Sequence, residues 1–426
     1  MEKQAILAIG IFLIIYGFII AEKIHRTIIA MIGSVLVMIL GIVDQETAIQ
    51  HIDFNTLGLL VGMMIIVGVT AETGLFKFIA VLAAKKAKGN PVSILVALSL
   101  ITAVGSAFLD NVTTVLLMVP VTFSITRQLR VSPFPFLITQ IIASNVGGTA
   151  TLIGDPPNIM IGSAVKELTF MAFIQNLAPI IIIILAVYIP LFILMFRKQI
   201  QTTPELKRSL MDMDERELIA DRKLLVKCLA VLSLTIIGFF LHQLLQLESA
   251  TVALAGAFLL LLLTGEHMLE KAFIMVEWKT IFFFIGLFVL VSGLIETGVI
   301  AILATQSIEL TGGDPVATTM LILWLSAIAS SFLDNIPFVA TMIPMIQEMG
   351  NMGVSNLEPL WWGLALGSCL GGNGSLIGAS ANLIVAGMAS QEGYPIRFIQ
   401  FLKYGFPLML LSIIFSSFYV YVRYLI

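Results

Sequence analysis

The amino-acid sequence predicts an all-α polytopic membrane protein built from two inverted-topology repeats. Each repeat is expected to hold about five transmembrane helices, a re-entrant hairpin and a broken helix. Hydrophobic residues fill 59% of the 426 positions and charged residues only 12%, whereas about a quarter of a soluble domain is charged. Apolar runs of roughly 20 residues recur along the chain, as membrane-spanning helices require. The short alternating segments of a β-barrel are not the dominant pattern.

Internal repetition at a fixed offset of 224 residues is the second observation behind this prediction. Ser106–Val121 matches Ser330–Met345 at eight of 16 positions, and Gly147–Asn158 matches Gly371–Asn382 at six of 12. These matches cover the most polar stretches of otherwise apolar segments. Internal duplication of this kind is typical of secondary transporters.

The repetition divides the chain into three predicted regions. The first repeat covers 1–197, a charged linker covers 198–222, and the second repeat covers 223–426. The first apolar run, near 4–21, has the position of a secretory signal but lacks an obvious cleavage site. Because it aligns with 228–245, we expect it to remain in the mature protein.

The distribution of lysine and arginine predicts that the repeats are inverted. The linker is rich in basic residues, which places it on the cytoplasmic side of the cell membrane of a bacterium or archaeon. The loop at 22–26 carries two basic residues and its counterpart at 246–250 carries none, whereas 44–55 carries none and its counterpart 266–279 carries two. Equivalent loops are therefore expected on opposite sides of the membrane, which requires an odd number of crossings per repeat.

Five crossings in the first repeat satisfy this requirement. They are predicted near 4–21, 27–43, 55–72, 135–164 and 171–196. The polar-tipped stretch between the third and fourth crossings, 91–130, is then a hairpin that enters and leaves on the cytoplasmic side, and 315–345 is its counterpart from outside. Residues 75–88 and 298–310 are predicted to be interfacial helices.

A carboxylate stands at the tip of each predicted hairpin. Asp110-Asn111 and Asp334-Asn335 interrupt segments that are apolar enough for a membrane. Backbone at a tip has lost helical hydrogen bonds, so it persists at depth only where protein or a wet cavity covers it. We therefore expect the two tips to meet near the midplane, although each aspartate could also simply cap the helix that follows it.

Two glycine-rich stretches predict one broken helix in each repeat. "GGTATLIGDPPN" begins at Gly147 and "GGNGSLIGASAN" at Gly371, and a helix does not continue unbroken through such prolines and glycines. Asp155 before Pro156 is typical of an N-cap followed by proline at the first helical position, and Ser380 is the expected cap in the second repeat. The unwound carbonyls suit a cation such as Na⁺, and the helix N-termini suit an anion.

Polar residues in these four segments are the candidate binding residues. An ionisable group within the membrane marks a functional site by default, because its charge needs a cation, a proton or donors. Asp155 has no acidic counterpart, since Ala379 occupies the equivalent position, so the first pocket is better suited to a cation or proton. The predicted cation- or substrate-binding residues are Asp110, Asn111, Thr113, Thr114, Asn145, Gly147, Gly148, Thr149, Asp155, Asn158, Asp334, Asn335, Gly371, Gly372, Asn373, Ser375 and Asn382.

The motifs "FLDNVTTVLLMVP" and "NVGGTATLIGDPPN" closely resemble those of the melanocyte P-protein-like permeases. These belong to the ion transporter superfamily, with arsenite pumps, D-type sodium–proton antiporters and sodium–dicarboxylate symporters. The resemblance implies an elevator-type homodimer and a Na⁺ site at Asp110, Asn111, Gly148 and Asn158. The dicarboxylate symporters carry Ser-Asn-Thr at each tip, and the acidic tips here oppose the binding of a dianion.

These observations predict a secondary active transporter that couples a small inorganic ion or oxyanion to H⁺ or Na⁺, of the sodium–proton antiporter or arsenite-efflux type. The alternative is a sodium-coupled di- or tricarboxylate transporter resembling citrate carriers, and an anion channel is less favoured. We expect no enzymatic activity, no cofactor beyond the coupling ion and no nucleic-acid partner. The expected partners are the transported ion, the lipid bilayer and a second copy of the chain.

Overall fold

The computed structural model describes residues 3–21, 23–211 and 218–426, and within these ranges the fold is helical, without strands. The predicted all-α class is confirmed. Residues 212–217 of the predicted linker, residues 1–2 of the first repeat and residue 22 of the first loop lie outside the described residues.

The first half of the chain forms ten helices. They are α1 (Lys3–Ala21), α2 (Arg26–Ile39), α3 (Gln45–Gln50), α4 (Phe54–Glu72), α5 (Leu75–Lys86), α6 (Pro91–Phe108), α7 (Asn111–Leu129), α8 (Phe134–Gly148), α9 (Pro156–Ala164) and α10 (Phe170–Phe196). After a short helix α11 (Pro204–Met211), the second half repeats the pattern. Its helices are α12 (Arg222–Leu241), α13 (Ser249–Thr264), α14 (Glu266–Met275), α15 (Trp278–Glu296), α16 (Val299–Thr311), α17 (Pro315–Phe332), α18 (Asn335–Asn351), α19 (Glu358–Gly371), α20 (Ser380–Gln391) and α21 (Phe398–Val420), with a π-helical turn at Tyr421–Leu425.

Helix boundaries follow the sequence offset closely. Shifted by 224 residues, the bounds of α4 coincide with those of α15, and the bounds of α6 coincide with those of α17. Nine of the described helices are long and apolar enough to cross a membrane, judged by length and composition. Two details differ from the prediction: α2 ends at Ile39 instead of near 43, and the loops at 44–55 and 266–279 contain the helices α3 and α14. Asp44 starts α3 by accepting a hydrogen bond from the Thr47 amide.

Helix α15 runs parallel to α2 along a close contact. A Cβ added at Gly286 would meet the Ala30 backbone at 2.7 Å, and one at Gly293 would meet the Val37 side chain at 3.1 Å. The two helices therefore begin at one end of the molecule and finish at the other. Helix α13 is parallel to α4 in the same way, since Gly58 lies beside Ala250, near the beginning of both helices, and Gly256 lies further along against the Ile66 side chain.

These directions show that the two repeats are inverted. His51, at the end of α3, contacts Glu296 at the end of α15, with 3.0 Å between Nε2 and Oε1. The connection from α2 to α4 therefore stays at the end where α2 and α15 finish, and α4 begins there. Because α13 is parallel to α4, it runs opposite to α2, although α2 is its counterpart in the repeat.

The described parts of the linker pack against the ends of α4 and α7. The Gln128 side chain donates to the Ser209 carbonyl at 2.9 Å, and the Ala220 amide donates to the Thr73 carbonyl at 3.1 Å. Thr73 directly follows α4, and Gln128 lies in the last turn of α7. The linker thus lies at the end of the molecule where α4 finishes and α2 begins.

Candidate functional site

Both hairpin tips are buried and carry a capping aspartate. Asp110 accepts from the Thr113 amide at 2.8 Å and from the Thr113 hydroxyl, and Asp334 accepts from the Ile336 amide at 3.0 Å. Each aspartate is 8% exposed. The carboxylates therefore do cap α7 and α18, and they do so away from solvent, where a charged cap is costly.

The predicted helix breaks are present between α8 and α9 and between α19 and α20. In the first break, the Asn158 amide donates to the carbonyls of Thr149 at 3.1 Å and Thr151 at 2.8 Å. In the second, Asn382 donates to Gly372 at 2.8 Å and Ser375 at 2.9 Å. The two asparagines are repeat equivalents, and each satisfies carbonyl groups that the break removes from the helical pattern.

Glycines let the hairpin arms approach these breaks closely. A Cβ on Gly147 would overlap the Ala103 carbonyl of α6, and a Cβ on its counterpart Gly371 would lie 2.6 Å from the Ala327 carbonyl of α17. Both distances are shorter than packed atoms allow. The glycines before the breaks therefore serve close helix packing as well as unwinding.

An asparagine cluster joins the two halves at the centre. The Asn145 amide donates to Asn373 Oδ1 at 2.9 Å and to Asn382 Oδ1 at 3.0 Å, while its own Oδ1 accepts from Asn111 at 3.2 Å. These side chains are almost completely buried. These hydrogen bonds hold the first tip against the second break, while the Asn373 Nδ2 has no hydrogen-bond partner among the described residues.

Asp155 differs from the expected cap. It occupies the position before α9 with extended backbone, but its side chain accepts no hydrogen bond from the helix start. Pro156 and Pro157 fill the first two helical positions and have no N–H to donate. The amide of the third residue, Asn158, donates to the main-chain carbonyl of Asp155 at 3.0 Å. Its Oδ1 lies 3.5 Å from the Asn335 amide, and its Oδ2 has no hydrogen-bond partner in the described part of the chain.

Ser380 is likewise not the cap of its helix. It is the first residue of α20, and its hydroxyl donates to Asp334 Oδ2 at 3.1 Å. The Arg26 guanidinium donates to the same Asp334 oxygen and, at 2.8 Å, to the Ser380 hydroxyl. It also lies over the Phe283 ring, 4.8 Å from the centroid.

Sequence reasoning missed the roles of Arg26 and Cys369. Arg26 was assigned only as a basic loop residue, yet a signal existed, because its repeat counterpart is the neutral Ala250. Cys369 is the counterpart of Asn145, and its thiol contacts Asn158 Oδ1 at 3.4 Å. This contact matches the one that Asn145 makes with Asn382, so both halves support the break asparagine from the same position.

Two cavities meet at Arg26. A chamber of about 40 Å³ lies between the tips and the start of α9, and Asp110, Asn111, Asp155 and Asn335 contribute to its wall. A vestibule of about 730 Å³ opens beside it. Arg26, Glu277, Thr280 and Ser380 line both cavities and form the boundary between them.

The remaining predicted residues lie around the chamber without lining it. Thr113 faces the Asp110 carboxylate, Thr149 bonds the Asn145 carbonyl within its own helix, and the Thr114 hydroxyl is buried. Of the four residues implied as a Na⁺ site, Asp110 and Asn111 line the chamber, whereas Gly148 and Asn158 do not. The residues that do not line the chamber are Thr113, Thr114, Asn145, Gly147, Gly148, Thr149, Asn158, Asp334, Gly371, Gly372, Asn373, Ser375 and Asn382.

A family model described as a citrate transporter matches residues 16–367 of this chain. The chain belongs to this CitMHS family. Over 429 residues and 99% of both chains, the CitMHS protein is 41% identical to an uncharacterized transporter of Mycobacterium tuberculosis. It is 35% identical to the human P protein over 507 residues, which cover 100% of this chain and 60% of that one.

The fold of this CitMHS protein is also similar to a solved structure. The YdaH transporter of Alcanivorax borkumensis, described as having an unusual topology, aligns with a TM-score of 0.59 over 99% of this chain and 98% of that one. The identity of 13% makes this a likeness of fold alone. Family, relatives and candidate spans together identify a multi-pass membrane transporter, related to the P protein as the motifs predicted.

Proposed function

We propose that this CitMHS protein is a secondary active transporter that couples a small inorganic ion or oxyanion to H⁺ or Na⁺, with the chamber between the tips as its ion site. One observation carries the proposal: Asp155 is 1% exposed and has an oxygen with no hydrogen-bond partner among the described residues. An uncompensated carboxylate at such a place costs several kcal/mol. A proton or a small cation would remove that cost.

The size of the chamber supports a small coupling ion. Its volume of about 40 Å³ corresponds to one or two water molecules, at roughly 30 Å³ each. A proton or a single dehydrated cation fits this space, whereas a tricarboxylate does not.

The vestibule and the linker lie at the same end of the molecule. Arg26, at the beginning of α2, lines the vestibule, and the linker contacts Thr73, which directly follows α4. Because α4 runs antiparallel to α2, the end of α4 lies beside the beginning of α2. If the basic linker is cytoplasmic, the vestibule opens to the cytoplasm. The conformation is then inward-open.

The other end carries a contact that the vestibule end lacks. The Ser163 hydroxyl donates to Asp53 at 2.8 Å and accepts from Asn55 at 3.0 Å, which ties α9 to the beginning of α4. The repeat counterpart of Asp53 is Glu277, which lines the vestibule, and that of Ser163 is Gly387, which has no hydroxyl to offer. This asymmetry supports a molecule that is closed outside and open inside.

Ser163→Ala is therefore expected to lower the population of the inward-open form. Losing these hydrogen bonds costs about 1 kcal/mol, which lowers the ratio of inward-open to outward-open molecules about five-fold and halves an inward-open population that starts at about three-quarters. The measurement is the rate at which an impermeant maleimide labels a Leu383→Cys variant from the vestibule side, in everted vesicles. We expect the rate to fall about two-fold, and the exposed Ser93→Ala is the control. Equal labelling in both variants would show that the contact does not hold the outer end closed.

Ion flux in proteoliposomes tests the proposed function. Purified protein is reconstituted, a Na⁺ gradient or a pH gradient is imposed, and lumenal pH is followed with arsenite, silicate or no added substrate. We expect proton movement that depends on Na⁺ or on one of these oxyanions. Flux without either dependence would overturn coupled transport, and single-channel currents would instead indicate a channel.

A sodium-coupled di- or tricarboxylate transporter is the second candidate, favoured by the vestibule. Its volume of about 730 Å³ lies in the usual range for small-molecule sites, and Arg26 and Lys279 line it. Burial, followed by the nearby charges of Lys279 and Arg26, lowers the pKa of His25, so this third residue adds little positive charge at neutral pH. Glu277 and Asp334 also line the vestibule and oppose an anion. Na⁺-dependent uptake of labelled citrate into the same proteoliposomes would favour this candidate.

A further inference from the structure

Arg26 and Asp334 belong to different helix groups. Arg26 begins α2, which packs on α1 and α15, whereas Asp334 stands between α17 and α18, which pack with α19. The two residues are separated by 308 positions in the chain. The side chain of Asp334 is only 7% exposed and that of Arg26 is 24% exposed, so the ion pair is largely withdrawn from water.

Three polar groups form a closed triangle at this point. The Arg26 guanidinium donates to both Asp334 and Ser380, and the Ser380 hydroxyl donates to Asp334. The Phe283 ring lies under the guanidinium at 4.8 Å. Hydrogen bonds in the plane and an aromatic face beneath it hold a guanidinium in one orientation.

The first half has no such triangle at the equivalent place. The counterpart of Arg26 is Ala250, and that of Ser380 is Pro156, so Asp110 lacks both partners. Asp110 bonds instead to the Thr113 hydroxyl, and the counterpart of Thr113 is Pro337, which cannot serve Asp334 in that way. The two aspartates are therefore repeat equivalents with different neighbours. Asp334 lies beside the positively charged Arg26 side chain, whereas Asp110 bonds to the neutral hydroxyl of Thr113.

We propose that Arg26 is a built-in competitor for cations at Asp334. Its guanidinium occupies the position beside Asp334 and Ser380 where a transported cation would otherwise bind. Only the half of the site formed by Asp110 and Asp155 then remains for the coupling ion in this conformation. This inference rests on the proposed cation coupling and deepens it, because it assigns the ion to one of two duplicated carboxylate positions.

The charges around the chamber agree with this assignment. Asp110, Asp155 and Glu277 line it together with Arg26 as the one basic residue among its described lining. Without Arg26, the wall of the chamber would hold three acidic groups and no basic one, and Asp334 would lie beside them in the wall of the vestibule. A second cation would then be attracted to Asp334, since nothing else on the two tips carries a positive charge.

The test measures Na⁺ binding to the purified full-length chain in detergent, with thermal unfolding as the readout. Choline chloride keeps the ionic strength constant, and stabilisation by Na⁺ reports binding to the folded state. In Arg26→Gln, we expect the Na⁺ concentration for half-maximal stabilisation to fall about ten-fold. Lys279→Gln removes a charge from the same vestibule and should stay within about two-fold of the wild type.

A double variant isolates the role of Asp334. Arg26→Gln combined with Asp334→Asn should return the midpoint to the wild-type value, because the second carboxylate is gone. If the coupling ion is H⁺, Na⁺ will not stabilise the wild type. The same variants are then titrated with acid, and stabilisation on acidification should increase in Arg26→Gln but not in the double variant.

Several outcomes would overturn the proposal: equal shifts in Arg26→Gln and Lys279→Gln, no shift with either ion, or a shift that persists in the double variant. Should Arg26→Gln fail to fold, Arg26→Lys replaces it. Lysine cannot reproduce the two-partner guanidinium geometry, so a fall of about three-fold is expected, and no fall would count against the proposal. A binding shift in the absence of wild-type coupled transport would overturn the proposed function instead.

Discussion

Asp155→Asn is expected to abolish coupled transport while making the folded protein more stable. The carboxylate is buried, lies 3.5 Å from the Asn335 amide, has the Cys369 thiol as a second polar neighbour, and leaves Oδ2 without a hydrogen bond in the described chain. Asparagine keeps the shape and the Oδ1 acceptor but carries neither a negative charge nor a titratable proton near neutral pH. Transport should fall by 100-fold or more if this group carries the coupling ion, as an intramembrane carboxylate in a transporter is expected to do.

The stability of this variant should change in the opposite direction. Removing an unpaired buried charge stabilises the fold by about 1–3 kcal/mol, which thermal unfolding in detergent without Na⁺ would detect. Asp44→Asn is the matched control, since Asp44 is an exposed cap of α3 and asparagine caps a helix about as well. Proteoliposome flux and unfolding are measured on the same preparations. Transport by Asp155→Asn close to the wild-type rate would remove this residue from the ion site.

Gly147→Ala is expected to cause the largest loss of stability. The added Cβ would overlap the carbonyl oxygen of Ala103 and lie 2.6 Å from its carbonyl carbon. These are backbone atoms of α6, so they cannot move aside as the tip of a flexible side chain could. Overpacking of this kind typically costs about 1–3 kcal/mol, occasionally more, and it would separate α6 from the first helix break.

Gly387→Ala is the control for this substitution. No atom lies within 4 Å of a Cβ at Gly387, and it lies inside α20, where alanine is favoured over glycine by about 1 kcal/mol. We expect the melting temperature to fall in Gly147→Ala, to fall in the repeat counterpart Gly371→Ala, and to stay or rise in Gly387→Ala. A Gly147→Ala protein that unfolds like Gly387→Ala would contradict the close approach.

Structural features that depend on a few neighbouring residues were predicted correctly from the sequence. The paired "FLDN" tips, the glycine-rich breaks and the fixed offset carry the helical fold, its duplication and the positions where helices stop. The inversion was predicted from the basic residues of equivalent loops, because cytoplasmic loops retain positive charge whatever their tertiary contacts. At Asp155 the sequence shows that two prolines remove the first two amide donors, but only the structure shows that the third, from Asn158, bonds to the main-chain carbonyl.

Contacts between distant segments were decided only by the tertiary structure. The sequence by itself determined that carboxylates would be buried at two tips, since an apolar segment admits a charge only under cover. It could not determine that Arg26 would neutralise Asp334 while Asp155 kept a free oxygen, because 308 residues separate the first pair and no periodic pattern links them. Helix periodicity and capping act within a few residues, whereas the partner of a buried charge depends on which helices pack together.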